Sequence, residues 1–345
     1  GPSGSGKTSI LRLIAGLEKP TSGSILLGGR AVENLPPAKR GVAMVFQRPA
    51  IYPHLTVEQN LAFGLRLEQP FGQRIQSIWR TTSADEAIFA RVTEVANLLG
   101  LADVLDRLPG SLSGGQQQRL ALGRALARKP GVLLLDEPFS QLDAGLRSEL
   151  RHELRLLQRK LEATVIYVTH DHEEAMSLAD QLAVIDQGVL QQLGSPAEVY
   201  SRPHNRFVAE FVGWPAMHFV DGHLCSHSGM ITWESVLGSL AAPAGWRSKL
   251  PESSIAMSLG IRPEDLVIES DSAGSARMTM TVVLVEMLGY ANLVTLERQG
   301  WQAVARVPAE MCPAPGDEVS VTVRLENAHL FDSTGKAVTF AESTA

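Results

Sequence analysis

The chain has 345 residues, room for about two domains of ordinary size with a substantial core, which excludes a mini-protein held together by staples. Its 31 Lys and Arg against 37 Asp and Glu leave a net charge of −6, so no general electrostatic pull draws it to nucleic acid or anionic lipid. The two cysteines, Cys225 and Cys312, cannot build a disulfide framework and fit a reducing compartment, and no apolar run approaches the roughly eighteen residues of a spanning helix.

From Gly1 to about Asp186, short β-branched runs alternate with helical periods, the pattern of a parallel sheet covered by helices. Helices are predicted over Thr8–Ala15, Val57–Leu65, Asp85–Leu99, Gln116–Arg128, Ala144–Leu161 and His172–Leu178. Strands are predicted at Ala43–Phe46, Val132–Leu135, Val165–Val168 and Leu182–Ile185. Thr56 with Gln59, and Ser195 with Glu198 around Pro196, have capping-box spacing, so a helix opens at each. Between the second and third helices, residues 69–84 read as a solvent-exposed insertion, although Ile75, Ile78 and Trp79 share a helical face.

Beyond Trp214 the period changes to two. Met278, Met280, Val282 and Leu284 alternate with other residues, as do Val319, Val321, Val323 and Leu325, and Gly, Pro and Asp break the runs into the short strands of a small barrel. His223, Cys225 and His227 also alternate and would share a face; a tetrahedral zinc site lacks a fourth ligand, and polar residues near a hairpin are the simpler reading.

Chemistry concentrates in three places. Gly1, Pro2, Ser3, Gly4, Ser5, Gly6, Lys7 and Thr8 satisfy G-x-x-x-x-G-K-[ST], and a helical period follows at once. Glycines at 1, 4 and 6 let backbone N–H groups turn inward around phosphate, Lys7 adds a full positive charge, and the Thr8 hydroxyl can ligate Mg²⁺. The apolar run Val132–Leu135 ends in Asp136 and Glu137, adjacent acids suited to holding a Mg²⁺ shell and taking a proton from an attacking water. Leu112-Ser113-Gly114-Gly115-Gln116 opens a helix with a second N–H nest, so one chain carries two phosphate-binding helix ends.

With these three elements the sequence resembles the ATP-binding subunits of ABC transporters, in which LSGGQ is the signature. Val45-Phe46-Gln47 is similar to the Q-loop, Ser140-Gln141-Leu142-Asp143 to the D-loop and Val168-Thr169-His170-Asp171 to the switch loop. Gln141 stands where the family usually has Asn. The resemblance implies an α/β P-loop NTPase domain over residues 1–201 that lacks its upstream strands in an N-terminally truncated sequence. It also implies a helical connector over 202–214 and an OB-like β domain over 215–345.

The cofactors implied are ATP and Mg²⁺. Nucleotide contacts fall on Gly1 through Thr8 with Ser9, on Ser113, Gly114, Gly115 and Gln116, and on Asp143; metal contacts fall on Thr8, Gln47 and Asp136. Glu137, His170 and Gln47 are implied to serve hydrolysis. In the family the signature of one subunit closes over the γ-phosphate held by another, which implies a dimer, with a homodimer expected here.

Tyr52-Pro53-His54-Leu55-Thr56, Pro196-Ala197-Glu198-Val199-Tyr200, Arg206 through Gly213 and Gly260-Ile261-Arg262-Pro263-Glu264 look like the maltose and glycerol-3-phosphate type of importer ATPase. That type implies uptake of a sugar or sugar-like solute at the cytoplasmic face of the membrane. Its partners there are two integral-membrane permease subunits and, indirectly, an extracytoplasmic solute-binding protein. Polyamine, iron and sulfate importers carry similar subunits; ABC ATPases that act outside transport commonly carry long coiled coils or two fused cassettes, and neither is seen here.

Overall fold

The computed structural model describes residues 1–68, 83–140, 142–160, 163–227, 230–243, 246, 254–269 and 277–338. The apolar stripe expected at Ile75, Ile78 and Trp79, and the D-loop Gln141, lie outside the described residues. By contact the chain divides into two units, residues 1–179 with 185–188, and residues 180–184 with 189–345.

In the first unit a glycine-rich loop leads into α1 (Lys7–Ala15), followed by a hairpin of β1 (Leu26–Leu27) and β2 (Arg30–Ala31) and by β3 (Val42–Val45). Then come α2 (Val57–Glu68), α3 (Ser83–Leu98), α4 (Gly114–Ala127), β4 (Val132–Asp136), α5 (Ala144–Gln158), β5 (Thr164–Val168) and α6 (His172–Leu178). Strands β3, β4 and β5 form a parallel sheet in that order, Val42 beside Val132 and Val132 beside Thr164, so their C-terminal ends share one edge. Period-two alternation along β4 sorts its leucines. Leu134 packs with Leu11 and Ala15 of α1, while Leu133 and Leu135 join Leu61 of α2, Leu120 of α4 and Leu150 and Leu154 of α5. The Thr56–Gln59 box forms reciprocally, Thr56 N donating to Gln59 Oε1 and Gln59 N to Thr56 Oγ1.

The fourth predicted strand forms as β6 (Leu182–Asp186) but pairs with β7 (Val189–Gly194) rather than widening the three-stranded sheet of the described residues. Only Gln187 and Gly188 separate the two, at φ of 46° and 78°, and so short a link joins neighbouring strands as a hairpin.

In the second unit β7 is followed by α7 (Pro196–Ser201), capped by the Ser195–Glu198 box, and α8 (Arg206–Phe211). Its strands are β8 (His218–His227), β9 (Met230–Ser235), β10 (Gly238–Ala241), β11 (Ile255–Ile261), β12 (Leu266–Glu269) and β13 (Arg277–Met287). After them come β14 (Ala291–Arg298), β15 (Trp301–Pro308), β16 (Glu318–Val323), β17 (His329–Phe331) and β18 (Ala337–Val338). They build two antiparallel sheets, ordered β10-β9-β8-β11-β17-β18 and β12-β16-β13-β14-β15, around one core that includes Trp233, Leu259, Met280, Val294, Leu296 and Val321. The predicted alternation holds for Met278, Met280 and Val282, all buried, and then slips. A register shift after Val282 turns Leu284 out to 50% exposure and brings Val285 against the core instead.

Residues 189–214, which the sequence reading divided between the first domain and a connector, cluster with the β-rich unit. Part of this stretch is tied down by Arg262, 3% exposed, whose guanidinium donates to the carbonyls of Tyr200, Ala209 and Val212 and lies 4.0 Å above the Tyr200 ring. Arg262→Met keeps the stem but leaves three carbonyls without their donor. It is expected to cost about 2–5 kcal/mol of this unit's stability, read as a lowered urea midpoint in the fluorescence of Trp233, Trp246 and Trp301.

Candidate active site

The loop before α1 turns at Gly4 and Gly6, whose φ values of 80° and 96° disfavour any side chain. The turn curls the loop over its own lysine: Lys7 Nζ donates to the carbonyls of Gly1 and Pro2, both at 2.7 Å, and reaches Ser5 Oγ at 3.4 Å. Burial holds the Lys7 ammonium below its ordinary pKa, while the charges of Glu137 and Asp136 pull it back up. Ser5 is buried; Ser3 and Ser9 are exposed. Thr8, one residue into the helix, donates from Oγ1 to Asp136 Oδ1 at 2.9 Å, joining the loop to the end of β4. Burial raises the Asp136 pKa above the usual carboxylate range; the Thr8 bond opposes that shift, and the Glu137 charge adds to it.

The three parallel strands deliver the remaining predicted residues. Gln47 follows β3, Glu137 follows β4 and His170 follows β5. Glu137 sits at a φ of 45°, unusual for a residue with a Cβ, and its N–H donates to Val168 O at 2.9 Å, which fixes the turn against β5. Its carboxylate is held from both sides, Oε2 by Gln47 Nε2 at 3.2 Å and Oε1 against His170 Nδ1 at 3.0 Å. The His170 side chain is 57% exposed and that of Glu137 21%, so the pair remains open to a ligand. Ser140, named in the sequence only as part of a loop, also belongs here: Gln47 Nε2 lies 3.3 Å from its Oγ, which in turn donates to Glu137 O at 2.9 Å. A serine after a double acid has no spacing signature that would have marked it.

The signature residues form a separate group. Ser113 Oγ accepts from Gln116 N at 3.3 Å and Gln116 Oε1 accepts from Ser113 N at 3.1 Å, a capping box at the start of α4. The S-x-x-Q spacing of the sequence is that of a capping box. Gly114 lies beside Leu142, and a Cβ on Gly115 would stand 3.0 Å from Leu146, so the helix start rests closely on α5. Asp143 caps α5, its Oδ1 accepting from Leu146 N at 2.9 Å. Among the described residues no hydrogen bond joins Ser113–Gln116 to the cluster of Lys7, Asp136 and Glu137.

No group of three or more His, Cys, Asp or Glu among the described residues could hold a metal ion unaided. Within β8, His223 is exposed and Cys225 is buried, with its Sγ 3.5 Å from Ser254 Oγ. A divalent cation at Thr8 and Asp136 would draw the rest of its shell from nucleotide phosphates and water. That all-oxygen set suits Mg²⁺.

Comparison with known proteins fits this arrangement. A family model described as ABC transporter matches residues 1–140, and one described as TOBE domain matches residues 259–331. The chain is 44% identical over 350 residues to the trehalose/maltose import ATP-binding protein MalK of Thermococcus litoralis, covering 98% of this chain and 90% of that one. It belongs to the ATP-binding subunits of ABC transporters. Further relatives of this ABC subunit are the alpha-glucoside transport ATP-binding protein AglK of Rhizobium meliloti and the sn-glycerol-3-phosphate import ATP-binding protein UgpC of Salmonella typhi, each 42% identical over 341 residues, 98% of this chain and 90% of theirs. Among solved structures it is similar to cbiO1 of Clostridium perfringens, part of the ABC transporter complex cbiONQ, at a TM-score of 0.50 and 29% identity over 58% of this chain and 76% of that one. The fold is thus a P-loop NTPase domain followed by an OB-like, TOBE-type β domain.

The buried Asp136 of this ABC subunit carries a testable cost. Because its pKa is raised on folding, the folded state binds the extra proton, and stability falls as pH climbs from the ordinary aspartate range through the raised value. Asp136→Asn is expected to melt higher than the parent at pH 7 without nucleotide, with the gap closing as pH drops toward that ordinary range, and to lose magnesium-dependent nucleotide affinity. Scanning calorimetry across pH checks the first effect, and a titration with and without Mg²⁺ the second.

Proposed function

We propose that this chain is the ATP-hydrolysing subunit of an ABC importer for a sugar or sugar-like solute, working as a head-to-tail pair. The observation that carries the reading is the Glu137 carboxylate, held between His170 and Gln47 on one side of the Thr8–Asp136 pair. Arriving triphosphate exchanges the Gly1 and Pro2 carbonyls at Lys7 Nζ for β- and γ-phosphate oxygens, and the N–H groups of the loop and of the α1 start take the remaining charge. Thr8, Gln47 and Asp136 would hold a bound Mg²⁺, which would supply charge neutralisation at the phosphates. Glu137 accepts the proton of the attacking water, Gln47 orients that water, and His170 passes from the Glu137 carboxylate to the γ-phosphate. Most of this is positioning and electrostatic neutralisation rather than covalent chemistry.

The half-site of one chain is completed by Ser113–Gln116 of a second copy, with Asp143 at the contact between them. Two integral-membrane permease subunits then couple closure to transport, and a solute-binding protein acts through them. The chain works peripherally at the cytoplasmic face; among its described residues no helix is long and apolar enough to cross a membrane. The trehalose/maltose, alpha-glucoside and glycerol-3-phosphate importers among its relatives support the solute class.

Glu137→Gln is expected to bind ATP within about twofold of the parent while turnover falls by about 10²–10⁴, the range for losing a general base, and to accumulate as a dimer in Mg²⁺-ATP on a sizing column. Unchanged hydrolysis would remove Glu137 as the base. For the solute, vesicles carrying the permease pair should show uptake of a labelled disaccharide only with this subunit and ATP present.

A further inference from the structure

Behind the switch loop lies a carboxylate that the reaction above does not use. Glu174, on the first turn of α6, is 3% exposed, and its Oε2 accepts two hydroxyl donors, Tyr167 at 2.8 Å and Thr169 Oγ1 at 2.7 Å. Thr169 Oγ1 also accepts from Asp171 N at 2.9 Å, and Asp171 Oδ1 accepts from Glu173 N at 2.8 Å and Glu174 N at 3.1 Å. The residues on both sides of His170 are therefore tied to α6, one through the Glu174 carboxylate and the other through the helix cap. Tyr167 continues the chain of contacts, its ring 6.1 Å from that of Phe139, two residues beyond Glu137.

A carboxylate this deep, held only by hydroxyls and with no ion pair among the described residues, is a costly way to fill space. A polar or apolar residue would pack there for less. What the carboxylate gives is two short, directional bonds to an oxygen acceptor, one from Tyr167 on β5 and one from Thr169, the residue before His170. We infer that Glu174 is a positioning residue for His170: by fixing Thr169, it sets the imidazole at Glu137 and limits its travel toward the γ-phosphate. This rests on the reading of His170 as the residue that contacts the γ-phosphate.

The test uses the full chain and compares Glu174→Ala, Glu174→Gln, Thr169→Val and His170→Ala. Glu174→Ala is expected to lower kcat by about ten- to a hundredfold, the scale for a small misplacement of a reacting group, with ATP affinity within twofold of the parent. Glu174→Gln, which keeps an oxygen acceptor, should restore kcat to within about threefold. In NMR spectra of histidine-labelled protein, the His170 Cε1–H signal should move in Glu174→Ala and stay in Glu174→Gln. Should Glu174→Ala fail to fold, Thr169→Val carries the same expectation, because it removes the hydroxyl that links the carboxylate to the His170 segment, along with that hydroxyl's bond from Asp171 N. The inference is overturned if Glu174→Ala or Thr169→Val keeps parental kcat, if kcat and affinity fall together, or if the His170 signal does not move. If His170→Ala itself hydrolyses like the parent, the reading of His170 fails and takes this inference with it; loss in His170→Ala with none in Glu174→Ala sinks the inference alone.

Discussion

Backbone hydrogen bonds between β3, β4 and β5 bring together residues that the sequence keeps 90 and 33 positions apart, Gln47 with Glu137 and Glu137 with His170. Parallel pairing puts all three strand ends on one edge, and α1 packs its Leu11 and Ala15 against Leu134 of the central strand, which sets the glycine-rich loop at that edge too. The Thr8–Asp136 bond closes the arrangement. Slip any strand by one residue and side chains meant for the site would point into the helices.

The charged groups of the site satisfy one another. Lys7 is occupied by its own loop, Asp136 by Thr8, and Glu137 by Gln47 and His170. On the proposed reading, triphosphate binding exchanges these partners; burial lowers the Lys7 pKa and raises that of Asp136. The signature group makes no hydrogen bond to this cluster among the described residues, and its Ser113 and Gln116 side chains are spent on capping α4.

Much of this was legible in the sequence because the signals are local. The glycine spacing, the apolar run ending in Asp136-Glu137 and the capping boxes at Thr56 and Ser195 each act within a few residues and appear where expected. What the sequence did not disclose depends on which segment each element meets in the folded chain. The register shift beside Leu284 is set by pairing with β14, the hairpin of β6 with β7 by a two-residue turn that competes with the parallel sheet, and the Arg262 anchor by carbonyls about 50 and 62 residues away. Ser140, legible only as the first residue of the D-loop, and Glu174, which carries no motif, take their importance from the side chains the folded strands set beside them.

The account stands or falls on whether a half-site in one chain is completed by the signature of another. One chain carrying Ser3→Cys and a second carrying Ser113→Cys, both with Glu137→Gln and with Cys225 and Cys312 replaced by Ser, test this by oxidative cross-linking in Mg²⁺-ATP. A covalent dimer should form only when the two chains are mixed and nucleotide is present. A mixture that stays monomeric on a non-reducing gel, at nucleotide concentrations where each chain is shown to bind ATP, would contradict it.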